Sequence, residues 1–178
     1  MVKTVINKLF IRYSQYLSEI VEDFNEDIDS DRINWQHQCF ESAILASGRL
    51  MIPQHNDCTI LGDESKYFTG QCYSVSKELA LANPNLIYCE GYAFAKGMNS
   101  SFPLRHAWLI NKNGIVVDPT WGIVGVWYYG VPFSTNWVKN IWTKRAKNDP
   151  DHDCSIFQAN YLEQHSILQY GIPLDGLN

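Results

Sequence analysis

Apolar residues recur at helical spacing at the start of the chain, where Val5, Leu9, Tyr13, Tyr16, Leu17, Ile20 and Phe24 share one stripe. This predicts an opening helix to about Asn25. The acidic stretch from Glu22 to Asp31 then reads as a solvated connection, and a second helix is predicted from Trp35 to about Ser47, ending at Gly48. Residues Ile52 to Phe68 contain Pro53, Asn56, Asp57, Gly62 and Asp63 and read as irregular. Helical spacing returns with Val75, Leu79 and Ala82, between Thr69 as N-cap and Asn83-Pro84 as the stop. Cys72 falls in the first turn of that helix.

The middle of the chain changes period. Leu86 to Ala95 is an apolar, aromatic strand pattern, and Arg105 to Asn111 and Ile115 to Asp118 are strand-like around the turn signal Lys112-Asn113-Gly114. Beyond Asp118, Trp121, Trp127, Tyr128, Tyr129 and Phe133 are punctuated by Gly122, Gly125, Gly130 and Pro132. That run reads equally as a strand with turns packing the sheet or as the wall of a cleft. Trp137, Ile141 and Trp142 predict a helix after Thr135, and Ile156 to Tyr170 a last helix closed by Gly171 and Pro173. The expected class is α+β: one domain over residues 1–178, with a central antiparallel sheet flanked by N-terminal and C-terminal helices.

Loop length decides which residues share a face of the predicted hairpin. A two-residue turn at Asn113-Gly114 would pair Leu109 with Asp118 and place His106 on the opposite face. A three-residue loop, with Gly114 in the left-handed position of a bulge, pairs Trp108 with Asp118 and leaves His106 diagonal to it on one face. Diagonal neighbours on a strand pair are within reach of long side chains. We expect the three-residue loop.

Cys72, His106 and Asp118 then form a candidate nucleophile, base and orienting carboxylate. A thiol attacks carbonyls as thiolate, so it needs a positive field, a base to take its proton and a group to hold that base. The first turn of a helix supplies unpaired amides and the positive end of the dipole. The plainer readings are a small apolar residue on a buried stripe for Cys72, a packed histidine for His106 and a turn residue before Pro119 for Asp118. Cys89 is a rival nucleophile, but it sits inside an apolar strand pattern where nothing local stabilises a thiolate, so core packing is expected. Glu90, on the alternate face from Cys89, is read as a solvent-facing edge residue in preference to one approaching the site.

These residues also resemble a known family. Cys72 at a helix start, the triplet His106-Ala107-Trp108 and the run Val117-Asp118-Pro119-Thr120-Trp121 resemble the transglutaminase-like superfamily. The resemblance implies a papain-like core and a Cys-His-Asp triad, with Cys72 as nucleophile, His106 as base and Asp118 as orienter. Glu90-Gly91-Tyr92-Ala93, the same His and Asp motifs and Tyr129-Gly130-Val131-Pro132-Phe133 are also similar to small uncharacterised bacterial and phage proteins. The likeness runs from about Gly70 to Phe133. The chain lacks the upstream Gln that papain-type proteases use for their oxyanion hole, and Gln71 adjoins Cys72. The first oxyanion donor is therefore the Cys72 amide, with the second unassigned. Trp108, Trp121 and Tyr129 are the candidate substrate-binding aromatics.

Composition narrows the partners. A chain of 178 residues, 46% hydrophobic and 13% aromatic, has ample material for a core. The net charge of -5 disfavours a general phosphate-binding surface. Lys139, Lys144, Arg145 and Lys147 read as a solvated helix face, so nucleic acid is not expected as a partner. Lys3, Asn7 and Lys8 interrupt any apolar leader, and no stretch is long enough to span a bilayer. Five cysteines, an odd count without a framework, suit a reducing cytoplasm. His37 with Cys39, His55 with Cys58, and His152 with Cys154 are close pairs, but the repeated knuckles of structural zinc are missing. Neither metal nor cofactor is expected.

The expected activity is therefore hydrolysis of, or acyl transfer from, an amide, peptide or related acyl bond through an acyl-enzyme, with a peptide, protein or small acyl compound as substrate. The alternative is a non-catalytic protein-interaction module that uses Trp121 to Phe133 as its surface. An acyl-coenzyme-dependent amine acetyltransferase ranks third, because such enzymes generally carry a further domain.

Overall fold

The computed structural model describes residues 2–26, 32–53, 70–95, 103–121, 125–149, 154–157 and 162–178, with the backbone alone for 2–10, 24–26 and 162–164. Expectations for the 52–68 stretch beyond Pro53, and for His55, Cys58 and His152, lie outside the described residues. The helices are α1 (Val2–Glu26), α2 (Phe40–Ser47), α3 (Cys72–Ala82), α4 (Thr135–Asn148) and α5 (Leu162–Tyr170). The strands are β1 (Arg49–Met51), β2 (Leu86–Ala95), β3 (Leu104–Asn111), β4 (Val116–Val117) and β5 (Gly125–Pro132). They form one antiparallel sheet in the order β1-β5-β2-β3-β4, so the protein is a mixed α+β fold.

The hairpin takes the three-residue loop. Leu109 pairs with Val117 and Ile110 with Val116, which carries Trp108 opposite Asp118. The Asn111 amide donates to the Ile115 carbonyl, and Gly114, at φ 74°, closes the turn by donating to the Asn111 carbonyl. That backbone angle costs a side chain about 1 kcal/mol or more, which glycine avoids. The Asn111 side-chain oxygen also accepts from the amides of Asn113 and Ile115, fixing the loop from within.

The two faces of the sheet are covered differently. On one, Tyr88, Ala107, Leu109, Val117, Trp127, Tyr129 and Val131 pack with Tyr13 and Leu17 of α1, Ala43 and Ile44 of α2, Ala80 of α3, and Val138, Ile141 and Trp142 of α4. The other carries a smaller cluster of Met51, Cys89, Ala93, Trp108, Ile110, Val116 and Tyr128, joined by Ile87 and Trp121. Among the described residues no helix contributes to this second cluster, and the described helices supply the first.

Three expectations are corrected. The second helix begins at Phe40, not Trp35, because the Gln36 and His37 amides donate to the Gln169 and Leu168 carbonyls near the end of α5. The last helix begins at Leu162 in the described residues, whereas Ile156 and Phe157 lie in bends. Their amides donate to Glu90, at 2.7 and 3.1 Å. Glu90 is thus buried on a central strand, not solvent-facing on an edge. It also accepts from the hydroxyls of Tyr88, at 3.0 Å, and Ser155. Burial raises its pKa, and these four donors only partly oppose that.

Smaller departures follow from packing. Tyr16, placed on the buried stripe of α1, is exposed. Ala82 is exposed as well, and the buried face of α3 is Cys72, Val75, Ser76 and Ala80. No described helix is long and apolar enough to cross a membrane.

At Gly130, β5 runs close against β2 and the Trp108 ring of β3. A Cβ there would meet the Glu90 backbone and lie 2.6 Å from the Trp108 ring. Gly130→Ala should lower unfolding free energy by about 2–3 kcal/mol in urea titrations. A loss below about 0.5 kcal/mol, the range of surface substitutions, would contradict this packing.

Candidate active site

The less covered face of the sheet carries the polar exceptions to an apolar pattern. Along β3, His106, Trp108 and Ile110 alternate onto this face, while Ala107 and Leu109 point to the helices. His106 is 2% exposed and Asp118 5% exposed, so each must find its partners inside the protein. His106 Nε2 lies 2.8 Å from Asp118 Oδ2.

Asp118 is saturated with donors. Its Oδ1 accepts from the amides of Thr120 (2.9 Å) and Trp121 (3.0 Å) and from the Thr120 hydroxyl (3.1 Å). Its Oδ2 accepts from the Tyr128 hydroxyl at 2.7 Å as well as from His106. Burial alone would raise the carboxyl pKa, yet the hydrogen bond and charge of His106, with the Trp121 and Tyr128 donors, hold it below its usual range. An ionised carboxylate can only accept, so Nε2 carries a proton and Nδ1 is the nitrogen left to exchange one.

Cys72 is the first residue of α3 and is buried; the N-cap is Gln71 and not the expected Thr69, because the helix starts two residues later than that cap would require. Ser76, one turn along on the same buried face, donates from its hydroxyl to the Ala107 carbonyl at 3.2 Å. The hydrogen bond ties the first turns of α3 to the strand position beside His106. Burial by itself disfavours an imidazolium, but hydrogen bonding and charge from Asp118 and from Cys72 outweigh it and push the His106 pKa up to about 9. The thiol is thus an interacting neighbour of the ring, and the three residues converge.

Trp121 completes the enclosure. Its ring stacks on His106 with centroids 3.9 Å apart and planes at 15°, fixing the imidazole and screening its bond to Asp118 from water. The other two expected substrate-binding aromatics lie elsewhere. Trp108 is fully buried beneath the site against Tyr128, with ring centroids 5.1 Å apart, and presents no surface to a substrate. Tyr129 faces the helices, where its hydroxyl donates to the Leu45 carbonyl at 3.4 Å. The adjacent Tyr128 reaches the site instead.

Cys89 is fully buried, its thiol pushed up by burial, as expected of a packing residue. His37 is buried, and no group of three or more His, Cys, Asp or Glu placed to hold a metal ion occurs around it or elsewhere among the described residues. Ser76 was given no site role by sequence reasoning, Tyr128 was named only within the aromatic run, and Thr120 only within the Asp118 motif. Thr120 had a signal, since Asp-x-Thr is a turn in which a side-chain oxygen takes the following amides. Tyr128 and Ser76 had none, because their roles depend on partners far away in sequence. The chain matches no protein-family model, no curated protein and no solved structure.

The buried pair should leave a pH signature in stability. A folded His106 pKa of about 9 against 6.5 for an unperturbed imidazole means that its contribution is complete below pH 6.5 and fades as pH rises through 9. Asp118, held below its ordinary value, contributes above about pH 4 and loses that contribution as pH falls further. Unfolding free energy should fall by roughly 2–3 kcal/mol between pH 6.5 and 9, and Asp118→Asn should flatten that slope. Equal slopes in the two proteins, measured by urea titration, would contradict the pairing.

Proposed function

We propose that this chain is a cysteine-dependent hydrolase or acyltransferase acting on an amide, peptide or related acyl bond, with Cys72 as nucleophile, His106 as base and acid, and Asp118 as orienter. The observation that carries the reading is the buried His106–Asp118 contact at 2.8 Å with the Cys72 thiol acting on the same ring. A papain-like or transglutaminase-like core is the finer architecture that suits it, with the nucleophile opening a helix and the base and carboxylate on neighbouring antiparallel strands. Trp121, partly exposed against the ring, is the wall that an acyl group would meet. A reducing, cytoplasmic setting suits the free thiols of Cys39, Cys72, Cys89 and Cys154.

The chemistry follows from the positions. Proton transfer from the Cys72 sulfur to His106 Nδ1 gives a thiolate–imidazolium pair that Asp118 stabilises through Nε2. The sulfur bonds to the carbonyl carbon, the C=O electron pair moves onto oxygen, and the Cys72 amide at the start of α3 donates to that oxyanion. As the oxyanion collapses, Nδ1 gives its proton to the departing nitrogen and the C–N bond breaks, leaving a thioester. Water then loses a proton to Nδ1 while its oxygen bonds to the acyl carbon, and the C–S bond breaks to restore the thiolate–imidazolium pair. An amine in place of water completes transfer instead; hydrolysis is the preferred reading.

Selective alkylation tests this against the interaction-module alternative. Among the described cysteines accessibility alone favours Cys154, which is more exposed than the buried Cys39, Cys72 and Cys89. The triad reverses that order: with iodoacetamide at pH 7 and mapping of the adducts, Cys72 should react about tenfold or more faster than the others, and His106→Ala should abolish the preference. Reaction in order of exposure would leave a binding module as the better account. Peptide, glutamine and thioester probes then identify the acyl substrate.

A further inference from the structure

Tyr128 lies on β5, with the whole of β2 between it and the strand that carries His106. Its ring crosses that gap because β2 presents only small residues there: Ala93, paired with Tyr128, and Gly91, paired with His106. The ring is fully buried, its centroid 6.2 Å from that of His106. A third small residue accommodates the hydroxyl, since a Cβ at Gly125 would run into it. The outcome is a 2.7 Å hydrogen bond to Asp118 Oδ2, the same oxygen that holds His106.

Resting on the triad reading above, we propose that Tyr128 is a positioning residue that tunes the base: by sharing Asp118 Oδ2 with the imidazole, its hydroxyl limits how strongly the carboxylate holds the His106 proton. Two donors on one oxygen divide its charge between them. Without the phenol, Oδ2 serves the imidazole alone and the imidazolium is favoured. A residue that merely held Asp118 in place would act oppositely, because its loss would let the carboxylate turn away and the imidazole revert toward its ordinary value. Among the described residues the other ionisable groups on this face are Cys72 from α3, Asp118 after β4, the Cys89 thiol on β2 and Arg49 on β1. Arg49 lies beyond both β5 and β2 from His106. Glu41, Glu90 and Arg105 are on the helix-covered side, with Arg105 paired to Glu41 at 3.0 Å.

The test follows Cys72 alkylation by iodoacetate and iodoacetamide across pH. The imidazolium attracts the anionic reagent, so the ratio of the two rates falls as His106 loses its proton. Tyr128→Phe should move that midpoint up by about 0.5–1 pH unit, and above the wild-type midpoint should raise the ratio roughly threefold to tenfold. Tyr129→Phe, the same deletion on the opposite face, should leave it unchanged. Gly125→Ala, which keeps the ring but displaces the hydroxyl, should shift it upward as well and serves as the measurement if Tyr128→Phe does not fold. An unmoved or lowered midpoint overturns the tuning role while leaving the triad standing. Absence of any Cys72 preference in the wild-type protein would instead remove the triad, and the role of Tyr128 with it.

Discussion

A carboxylate buried with five donors around it is the constraint on which the rest of this site depends. Asp118 would be costly to ionise in a closed interior, and an isolated buried charge usually neutralises. Here Thr120 and Trp121 close one oxygen through local turn geometry, while His106 and Tyr128 close the other from two different strands. Because the charge survives, the imidazole is fixed in one tautomer and kept basic despite its own burial. The Cys72 thiol interacts with that same ring.

The sheet is organised around the same division. Its helix-covered face supplies the bulk of the apolar burial, with Tyr88, Leu109, Trp127 and Val131 under α1, α2, α3 and α4. Its other face is assembled from strand side chains and Trp121, and the polar pair sits there. With Cys72 at the start of α3, and α3 tied to Ala107 through Ser76, a residue of the helical layer reaches an imidazole that points away from that layer. The larger apolar core and the His106–Asp118 pair therefore lie on opposite sides of β3.

A second buried carboxyl does structural work on the helical side. Glu90 gathers the hydroxyls of Tyr88 and Ser155 and the amides of Ile156 and Phe157, pinning the segment before α5 beneath the sheet. Its environment raises its pKa, whereas that of Asp118 lowers it, because Asp118 faces a partner that can carry positive charge and Glu90 faces neutral donors. Two acids of similar burial thus have opposite tendencies, set by what surrounds them.

Local pattern alone determined the helices α1, α3 and α4, the strands β2 and β3, the turn at Gly114 and, through loop length, the face shared by His106 and Asp118. Each is fixed by residues close in sequence: apolar spacing, a stop at Pro84, or a three-residue loop whose glycine takes a left-handed angle. Tertiary structure alone decided the rest. Whether Tyr128 or Tyr129 faces His106 depends on the register of β5 against β2, strands about thirty residues apart in sequence. Glu90 was misplaced on an edge because strand order is not local either; β5 inserts beside β2 and makes it central. The starts of α2 and α5 moved for the same reason. The amides of Gln36, His37, Ile156 and Phe157 have distant acceptors, and a backbone donor that finds its partner across the fold does not continue a helix.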